Sequence, residues 1–453
     1  MMGFKNLKYY FDMFVSIGKE EQLMDTIEKT VRDDICCSCG ICASVCPKNC
    51  INYQAKDGLY TPVIDEDKCI RCGKCFKVCP GKEEIYFAKY MFLQRSKPND
   101  YFVGNYNTVC IASVKDKLIL ANSTSGGIIT YLVQCLLETE MFDAAFLVDE
   151  YNYSKNIKTQ LYQRGMGLSS TPKSRYIPIS HFNSIQYVLD HPDKKVILVG
   201  TSCFVHGFLN VLDTCNLKRD NFFIIGLFCD RTLNYNVFHY FQSLKVCNKP
   251  IKELYFRSKA ADGWPGNVRI VFEDNSIIDL PASERMKIKD FYTLQRCLYC
   301  LDKLNQFADI SVGDNYTNRN KTTAGSSSVI IRSNFALEIW NQFSEGMTVY
   351  KSSMEEIRSS QLINSRAYNY AFAKVSGKIG LDKEIQIDLQ SIKGYENLLK
   401  NKLKRLQLGK RSDISSIKLK LRTLWIKNKL IQMNPLFLPK NVVKVIKSYY
   451  KVR

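Results

Sequence analysis

The sequence predicts a mixed fold, α+β to α/β: a small duplicated cysteine unit, a body of alternating strands and helices, and a basic helical C-terminal tail. Three observations carry this expectation. The runs CCSCGICASVCP and CIRCGKCFKVCP, within residues 36–80, repeat one cysteine pattern 33 positions apart. Short apolar runs such as VCIASV, KKVILVG and FFIIGLF end in turn residues, as buried strands do. Residues 400–453 hold 16 Lys or Arg and a single acid, Asp413. A chain of 453 residues has room for two to four domains. The expected divisions are a helical segment over 1–33, the cysteine unit over 34–90, the body over 106–350 and the tail over 351–453.

The first cysteine run supplies Cys36, Cys39, Cys42 and Cys46 before Pro47, and the second supplies Cys69, Cys72, Cys75 and Cys79 before Pro80. Three thiolates at this spacing can wrap three irons of a cubane, and in two-cluster ferredoxins the fourth cysteine of each run serves the other cluster. The pattern therefore predicts a two-cluster ferredoxin unit, with one 4Fe-4S centre on Cys36, Cys39, Cys42 and Cys79 and a second on Cys69, Cys72, Cys75 and Cys46. Zinc also takes paired CxxC, but it calls for neither the third spaced thiolate nor the fourth with its proline, all given twice. Cys37 and Cys50 fall outside the pattern and read as ordinary thiols packed nearby.

Before this unit, EEQLMDTIEKTV has the helical spacing of Leu23, Ile27 and Val31. No run of 18 apolar residues appears, and Lys5, Lys8, Asp12 and Lys19 interrupt the first 20 residues, so neither a spanning helix nor a signal peptide is expected. Eighteen cysteines then point to reduced, metal-bound or buried thiols in the cytoplasm. The net charge of +20 is concentrated in the tail, since residues 1–399 carry 48 bases against 43 acids. Nucleic-acid binding has no recognisable module to support it.

Residues 90–105, polar with Pro98 and Gly104, read as a linker. The body opens with a strand at Val109–Val114, followed by a Ser, Thr and Gly loop that opens the helix of IITYLVQCLLE. Two readings of this loop stand side by side: phosphate held on the free N–H groups of the helix start, or simple N-capping by Ser123, Thr124 or Ser125. Strands are expected at Ala144–Val148, Val196–Val199 and Phe222–Phe228, with Cys203 and Cys229 at or just past two strand ends, where ligands gather in open α/β sheets. RCLYC adds Cys297 and Cys300. On the residues alone, these four thiols are open to a third cluster, a zinc site or burial as free cysteines.

Further strands are expected at Leu254–Arg257, Val268–Glu273 and Ile277–Leu280, with a hairpin near EDNS, and at Ala308–Asp314 and Ser327–Ser333. NFALEIWNQF reads as a helix. Cys110, Cys135, Cys215 and Cys247 have no partner at ligand spacing. His181, His191, His206 and His239 show no metal spacing and read as surface or capping residues, so no catalytic residue is named.

The ordered set STSGG (Ser123 to Gly127), SRY (Ser174 to Tyr176), GTSC (Gly200 to Cys203), Cys229, FRSKAADGW (Phe256 to Trp264), CLYC (Cys297 to Cys300) and DISVGD (Asp309 to Asp314) resembles the coenzyme F420 hydrogenase/dehydrogenase beta-subunit family. The resemblance implies an α/β flavin-binding body with FAD beside a 4Fe-4S cluster. It makes Cys203, Cys229, Cys297 and Cys300 the ligands of a third cluster, and Ser125, Gly126, Gly127, Ser174, Arg175 and Tyr176 the flavin contacts. Ser202, Phe204, Asp230, Arg231 and Pro178 depart from the residues the family often shows, which points to a different substrate. Bacterial relatives of this kind often accompany exopolysaccharide assembly genes, so a small molecule or glycan precursor is the expected substrate, and a ferredoxin or other redox protein the expected partner.

The implied function is an iron–sulfur flavoprotein oxidoreductase. Arg175, Arg257 and Lys259 are expected to offset the negative charge of flavin or substrate. Two rivals are a non-enzymatic electron carrier, with two clusters and no flavin, and a membrane-surface assembly protein whose tail interleaves bases with Leu, Ile, Trp425 and Tyr. The expected location is cytoplasmic, or peripheral to the inner face of the membrane.

Overall fold

The computed structural model describes residues 26–385, 387 and 395–432. Leu23 and the rest of 1–25 lie outside the described residues. The expected leading helix is present as Ile27–Arg32.

The duplication of the cysteine unit is written into its backbone. Ser38 and Arg71, 33 positions apart, both take positive φ, and so do Gly40 and Gly73, which open the short helices Ile41–Ser44 and Lys74–Lys77. Left-handed backbone at these glycines lets each cysteine loop turn directly into its helix, a conformation that costs glycine little. Between the halves, β1 (Ile51–Lys56) and β2 (Leu59–Ile64) form an antiparallel hairpin with Lys56 paired to Leu59 across a two-residue turn. Both turn residues, Asp57 and Gly58, have positive φ. The halves differ in their surroundings: every residue of Ile41–Ser44 is buried and none of Lys74–Lys77 is. The first half packs on the body, where the His181 N–H donates to the Cys39 carbonyl at 2.8 Å.

Along the chain follow β3 (Glu83–Glu84), β4 (Thr108–Val114), β5 (Ala144–Leu147), β6 (Gln160–Tyr162), β7 (Val196–Thr201), β8 (Phe222–Leu227), β9 (Ile251–Ser258), β10 (Asn267–Phe272), β11 (Ile277–Leu280), β12 (Ile310–Asp314), β13 (Ser327–Ile331), β14 (Met347–Lys351) and β15 (Gly380–Leu381). Eight of them make the main sheet, in the order β14-β4-β13-β12-β8-β7-β5-β6. Its centre, β5, β7, β8 and β12, is parallel, and the remaining pairs are antiparallel. β9, β10 and β11 form a separate antiparallel sheet.

Helices cover both faces of the main sheet, which is why its central strands read as continuous apolar runs. Ile197, Phe223 and Ile225 share a core with helix Ile128–Glu138. Val196, Leu198, Phe222 and Ile224 share another with helices Phe182–Asp190 and Ser202–Cys215. Alternate residues of β7 and β8 therefore fill opposite layers.

Three sets of contacts show how the segments outside the main sheet sit on the body. The expected linker is pinned to the body, because Arg332 donates to the carbonyls of Val103 (3.0 Å) and Asn105 (2.8 Å). Past residue 351 the chain still packs on the body: helix Arg366–Ser376 lies beside the cysteine loops, and β15 pairs with β3. Helix Arg366–Ser376 buries Tyr370, Ala371, Phe372 and Ala373 in the core, while Arg366 and Asn369 meet backbone carbonyls. The helices Tyr395–Lys410 and Ile414–Gln432 are docked on the body. Arg405 bonds Asp290 at 2.9 Å, Asn236 Nδ2 donates to the carbonyls of Gly409 and Lys410, and Ile417 is buried. Among the described residues, no helix is long and apolar enough to cross a membrane.

Candidate functional site

Cys36, Cys39 and Cys42 of the first cysteine run lie within electrostatic reach of one another and of Cys79. Burial and the neighbouring sulfurs of Cys79, Cys42 and Cys36 push Cys39 well above an ordinary thiol. Burial, with Cys36 and Cys79 adding, does the same to Cys42. Burial also raises Cys36, to about 12, with Cys79 contributing. Neighbouring thiols that destabilise one another's charge, with Cys42 and Cys79 buried, are held together as thiolates by a cationic centre. Cys46, Cys69, Cys72 and Cys75 line a second small cavity with Cys50, whose sulfur is 3.4 Å from that of Cys46. Cys72 is exposed.

Cys203, Cys229, Cys297 and Cys300, which the sequence left open, line one internal cavity. They keep some accessible surface because they face this cavity. Strand ends place two of them: Cys203 enters helix Ser202–Cys215 after β7, and Cys229 follows β8, its N–H donating to the Lys303 carbonyl at 2.9 Å. Arg366 and Asn369, missed by sequence reading, hold the loops. Arg366 donates to the carbonyls of Cys300 and Cys229, and Asn369 to those of Cys297 and Cys300. The Thr232 N–H donates to the Cys297 sulfur at 3.3 Å, and Thr201 Oγ1 lies 3.1 Å from that of Cys203. Arg296 lines the cavity, fully committed on one edge to Glu84 (2.7 Å) and the carbonyls of Pro80 and Glu83, while its Nε is buried with no partner. An orphaned cationic N–H beside four thiols suits an anionic sulfur centre.

Among the described residues, no three His, Cys, Asp or Glu side chains converge closely enough to hold a single metal ion. Zinc needs all of its ligands within bonding distance of one point, whereas a four-iron cluster spreads its thiolates over separate irons. Cys110, Cys135, Cys215 and Cys247 line neither cysteine cavity.

A cleft of about 320 Å³ opens at the carboxyl ends of β7, β8 and β12 and shares Cys203 and Cys229 with the third cysteine cavity. Its wall includes Ser125, Gly127, Ser174, Arg175 and Tyr176. The capping reading of the loop is overturned, because helix Ile128–Glu138 has no side-chain cap. Ser123 donates back to the Ile119 carbonyl, Thr124 accepts the Ser174 N–H, and Ser125 donates to the Ser326 carbonyl. Gly127, Ile128 and Ile129 bring the uncapped helix start to the cleft.

Gly126 does not contribute to the wall. Its N–H donates to Ser327 Oγ, and a Cβ there would lie 2.5 Å from the Ala112 carbonyl oxygen. Gly126→Ala is expected to cost about 1–3 kcal/mol by overpacking, measurable as a lower denaturation midpoint.

The charges expected to face the ligand are largely committed elsewhere. Arg257 is buried and paired with both carboxylate oxygens of Asp314, to which Trp264 Nε1 also donates. Arg175 donates to the carbonyls of Thr171, Lys173 and Glu150 and stacks on Tyr151. Lys259 is bound to carbonyls of Leu120, Ser125 and Ala324. Arg175, Arg231 and Arg257 also line the cleft, and so does Lys173, which sequence reading missed and whose Nζ donates to the Asn122 carbonyl. Burial and the positive charge of Arg269 lower Lys173 to about 8. Two histidines also differ from expectation. His181 is buried on the cleft wall, stacked on Phe204 and held by burial at about 3, and His206 is buried with Nε2 3.1 Å from Asp302. Apolar helices close over them, which spacing along the chain cannot reveal.

The sites form a series. The cleft meets the third cysteine set at Cys203 and Cys229, and Cys37 carries the first cysteine loop into that same cavity. Cys42 of the first set is within electrostatic reach of Cys75 of the second, whose Cys72 is exposed. Such an order suits one-electron traffic between a buried ligand and the surface.

Residues 193–356 match the family model for the C-terminal part of the coenzyme F420 hydrogenase/dehydrogenase beta subunit, and residues 109–186 match the model for its N-terminal part. Residues 35–82 match a 4Fe-4S dicluster domain. The chain is 23% identical over 354 residues to an uncharacterized protein of Methanocaldococcus jannaschii, covering 73% of this chain and 88% of that one. It is 24% identical over 273 residues to the coenzyme F420 hydrogenase subunit beta of Methanosarcina barkeri, covering 57% and 86%. A solved chain of the F420-reducing NiFe hydrogenase complex from Methanosarcina barkeri aligns with TM-score 0.48 and 21% identity, covering 64% of this chain and 99% of that one. With both beta-subunit models matched in order and the dicluster domain ahead of them, the chain belongs to the coenzyme F420 hydrogenase/dehydrogenase beta-subunit family, as an iron–sulfur oxidoreductase-type subunit.

Proposed function

We propose that the chain is an iron–sulfur flavoprotein oxidoreductase with three 4Fe-4S clusters and FAD, passing electrons between a small-molecule or glycan-precursor substrate and a redox partner protein. The observation that carries the reading is the shared wall: Cys203 and Cys229 face both the cleft and the cavity of Cys297 and Cys300. Cys36, Cys39, Cys42 and Cys79 would hold one ferredoxin cluster, Cys69, Cys72, Cys75 and Cys46 the other, and Cys203, Cys229, Cys297 and Cys300 the third. A bound flavin supplies the exchange between hydride chemistry and the single electrons that clusters carry. The uncapped start of helix Ile128–Glu138 and Lys173 would bind its phosphates, with Ser125, Gly127, Ser174 and Tyr176 along the same wall. Burying the third set beneath the cleft keeps solvent from it.

The test is iron, zinc and flavin per chain in protein purified without oxygen. About twelve irons with one flavin are expected. About eight irons and no flavin would leave only an electron carrier. Zinc in place of iron would sink the cluster assignments altogether.

Lys173 adds a pH signature. Because it titrates near 8, phosphate-bearing ligands should bind best below that pH and weaken above it as the ammonium is lost. Lys173→Gln should weaken FAD binding at pH 7 by roughly tenfold, the worth of a charge-assisted hydrogen bond of about 1.5 kcal/mol, and flatten the pH dependence in a fluorescence titration.

One observation favours attachment to a membrane surface as an added property of the tail. On helix Ile414–Gln432, Leu419 and Trp425 are 65% and 61% exposed among Lys418, Lys420 and Arg422. Leu419→Glu with Trp425→Glu should abolish co-sedimentation with anionic vesicles. Unchanged sedimentation would remove this reading.

A further inference from the structure

We propose that the exposed edge of the second ferredoxin half docks an acidic one-electron carrier protein, which exchanges electrons with the chain through the cluster of Cys69, Cys72, Cys75 and Cys46. This rests on the reading that those thiols hold a 4Fe-4S cluster, and it adds the chemistry of the partner and the surface on which it sits. The internal repeat carries it. In the first half, a Cβ on Gly40 would lie 2.4 Å from Ser180 Oγ and 3.2 Å from the Phe182 nitrogen, and Ile41 joins the core of helices Phe182–Asp190 and Ser202–Cys215. In the second half, a Cβ on Gly73 would meet nothing within 4 Å. The residues 33 positions after Ser38, Ile41 and Ser44 are Arg71, Lys74 and Lys77, and all three are exposed where their counterparts are buried. One face of a duplicated unit is thus apolar or neutral where the body covers it and basic where it lies open.

Lys48, Ile70, Arg71 and Lys74 line the cavity of Cys46, Cys69, Cys72 and Cys75, and no acid lines it. The third cysteine cavity, by contrast, sets Glu84, Asp230 and Asp302 against Arg231 and Arg296, so the one-sided charge is particular to the open cavity. Arg71 meets Glu66 at 3.3 Å and Lys68 meets Asp65 at 2.7 Å, surface pairs that water screens. Lys48, Lys74 and Lys77 have no acidic partner among the described residues. Beside them Ile70 is 57% exposed and Cys72 is exposed as well. A basic rim around a small apolar contact speeds the encounter with an acidic surface and still lets the partner leave, which suits a carrier that must turn over. In each encounter the reduced cluster loses one electron and the carrier's cofactor gains it, with no bond or proton exchanged.

The test uses the full chain, purified without oxygen and reduced with dithionite, mixed by stopped flow with a purified acidic flavodoxin as the probe carrier. The second-order rate constant should fall about tenfold or more between about 0.01 M and about 1 M salt, as the screening length shrinks from about 30 Å to about 3 Å. Lys48→Glu with Lys74→Glu and Lys77→Glu should lower it about tenfold or more at the low salt and remove most of its salt dependence, with iron content unchanged. A rate indifferent to salt and to these changes would overturn the proposal. So would a loss of rate that persists undiminished at the high salt, which would trace to the potential of the cluster. An equal loss on reversing Lys418, Lys420 and Arg422 to Glu would move the docking to the tail and overturn it too. About eight irons and no flavin in the unaltered chain would overturn the reductase reading while these expectations stand, and zinc in place of iron would overturn both.

Discussion

Cys297→Ala is expected to lower the iron content from about twelve to about eight atoms per chain and to abolish electron transfer between the cleft and the ferredoxin unit. Cys297 lies on the third cysteine cavity, where the Thr232 N–H meets its sulfur and Asn369 holds its carbonyl. Alanine removes one thiolate and leaves three; Cys37 and His206 also line the cavity, so the variant is measured in a Cys37→Ala, His206→Gln background as well, where neither can substitute as a ligand to the iron. The two ferredoxin clusters, built from other residues, should keep their spectra. Cys110→Ala is the control: this thiol is buried in β4, away from the cysteine cavities, and its loss should cost stability but no iron. Iron analysis of the two variants checks the assignment. Full iron in Cys297→Ala would remove Cys297 from the ligand set.

Arg296→Met is expected to cost about 3–5 kcal/mol, because it leaves Glu84 as a buried carboxylate without its cation. Arg296 and Glu84 are both almost wholly buried, and their pair ties the third cysteine cavity to the segment that leaves the ferredoxin unit. Tyr86 donates its hydroxyl to the same carboxylate, and the Leu301 N–H approaches it at 3.4 Å. These neutral donors cannot replace the lost charge. Denaturant midpoints measure the effect, and the double variant Arg296→Met with Glu84→Gln should recover much of the stability by removing the stranded charge. Recovery of stability without recovery of third-cluster iron would separate the structural task of Arg296 from its service to the sulfurs.

The ferredoxin unit was legible in the sequence because its chemistry is local. Three of the cysteines in each run, two residues apart, come from one loop, and the structure brings Cys39 and Cys42 of the first run within electrostatic reach of Cys36 and of Cys79 from the second. The central strands were legible for a similar reason: burial on both faces leaves β5, β7 and β8 as unbroken apolar runs. β14 was missed, because this edge strand has mixed polarity and only its pairing with β4 defines it.

The remaining features are long-range. Cys203, Cys229, Cys297 and Cys300 are spread over nearly a hundred positions, and they meet because parallel strands end side by side and a later loop folds over them. Arg366 and Asn369 looked like polar residues of a tail until the folded chain aimed them at the carbonyls of the cysteine loops. Arg257 looked like a cation free for a ligand until Asp314, 57 positions away, neutralised it, while Lys173, not singled out in the sequence, lines the same cleft. Spacing and apolar patterning along the chain sufficed for the ferredoxin unit and the strand-and-helix body, and an ordered set of short motifs carried the resemblance to the family. Which charges stay free and which thiols meet followed only from the folded molecule, because both depend on what distant segments bring to the same buried space.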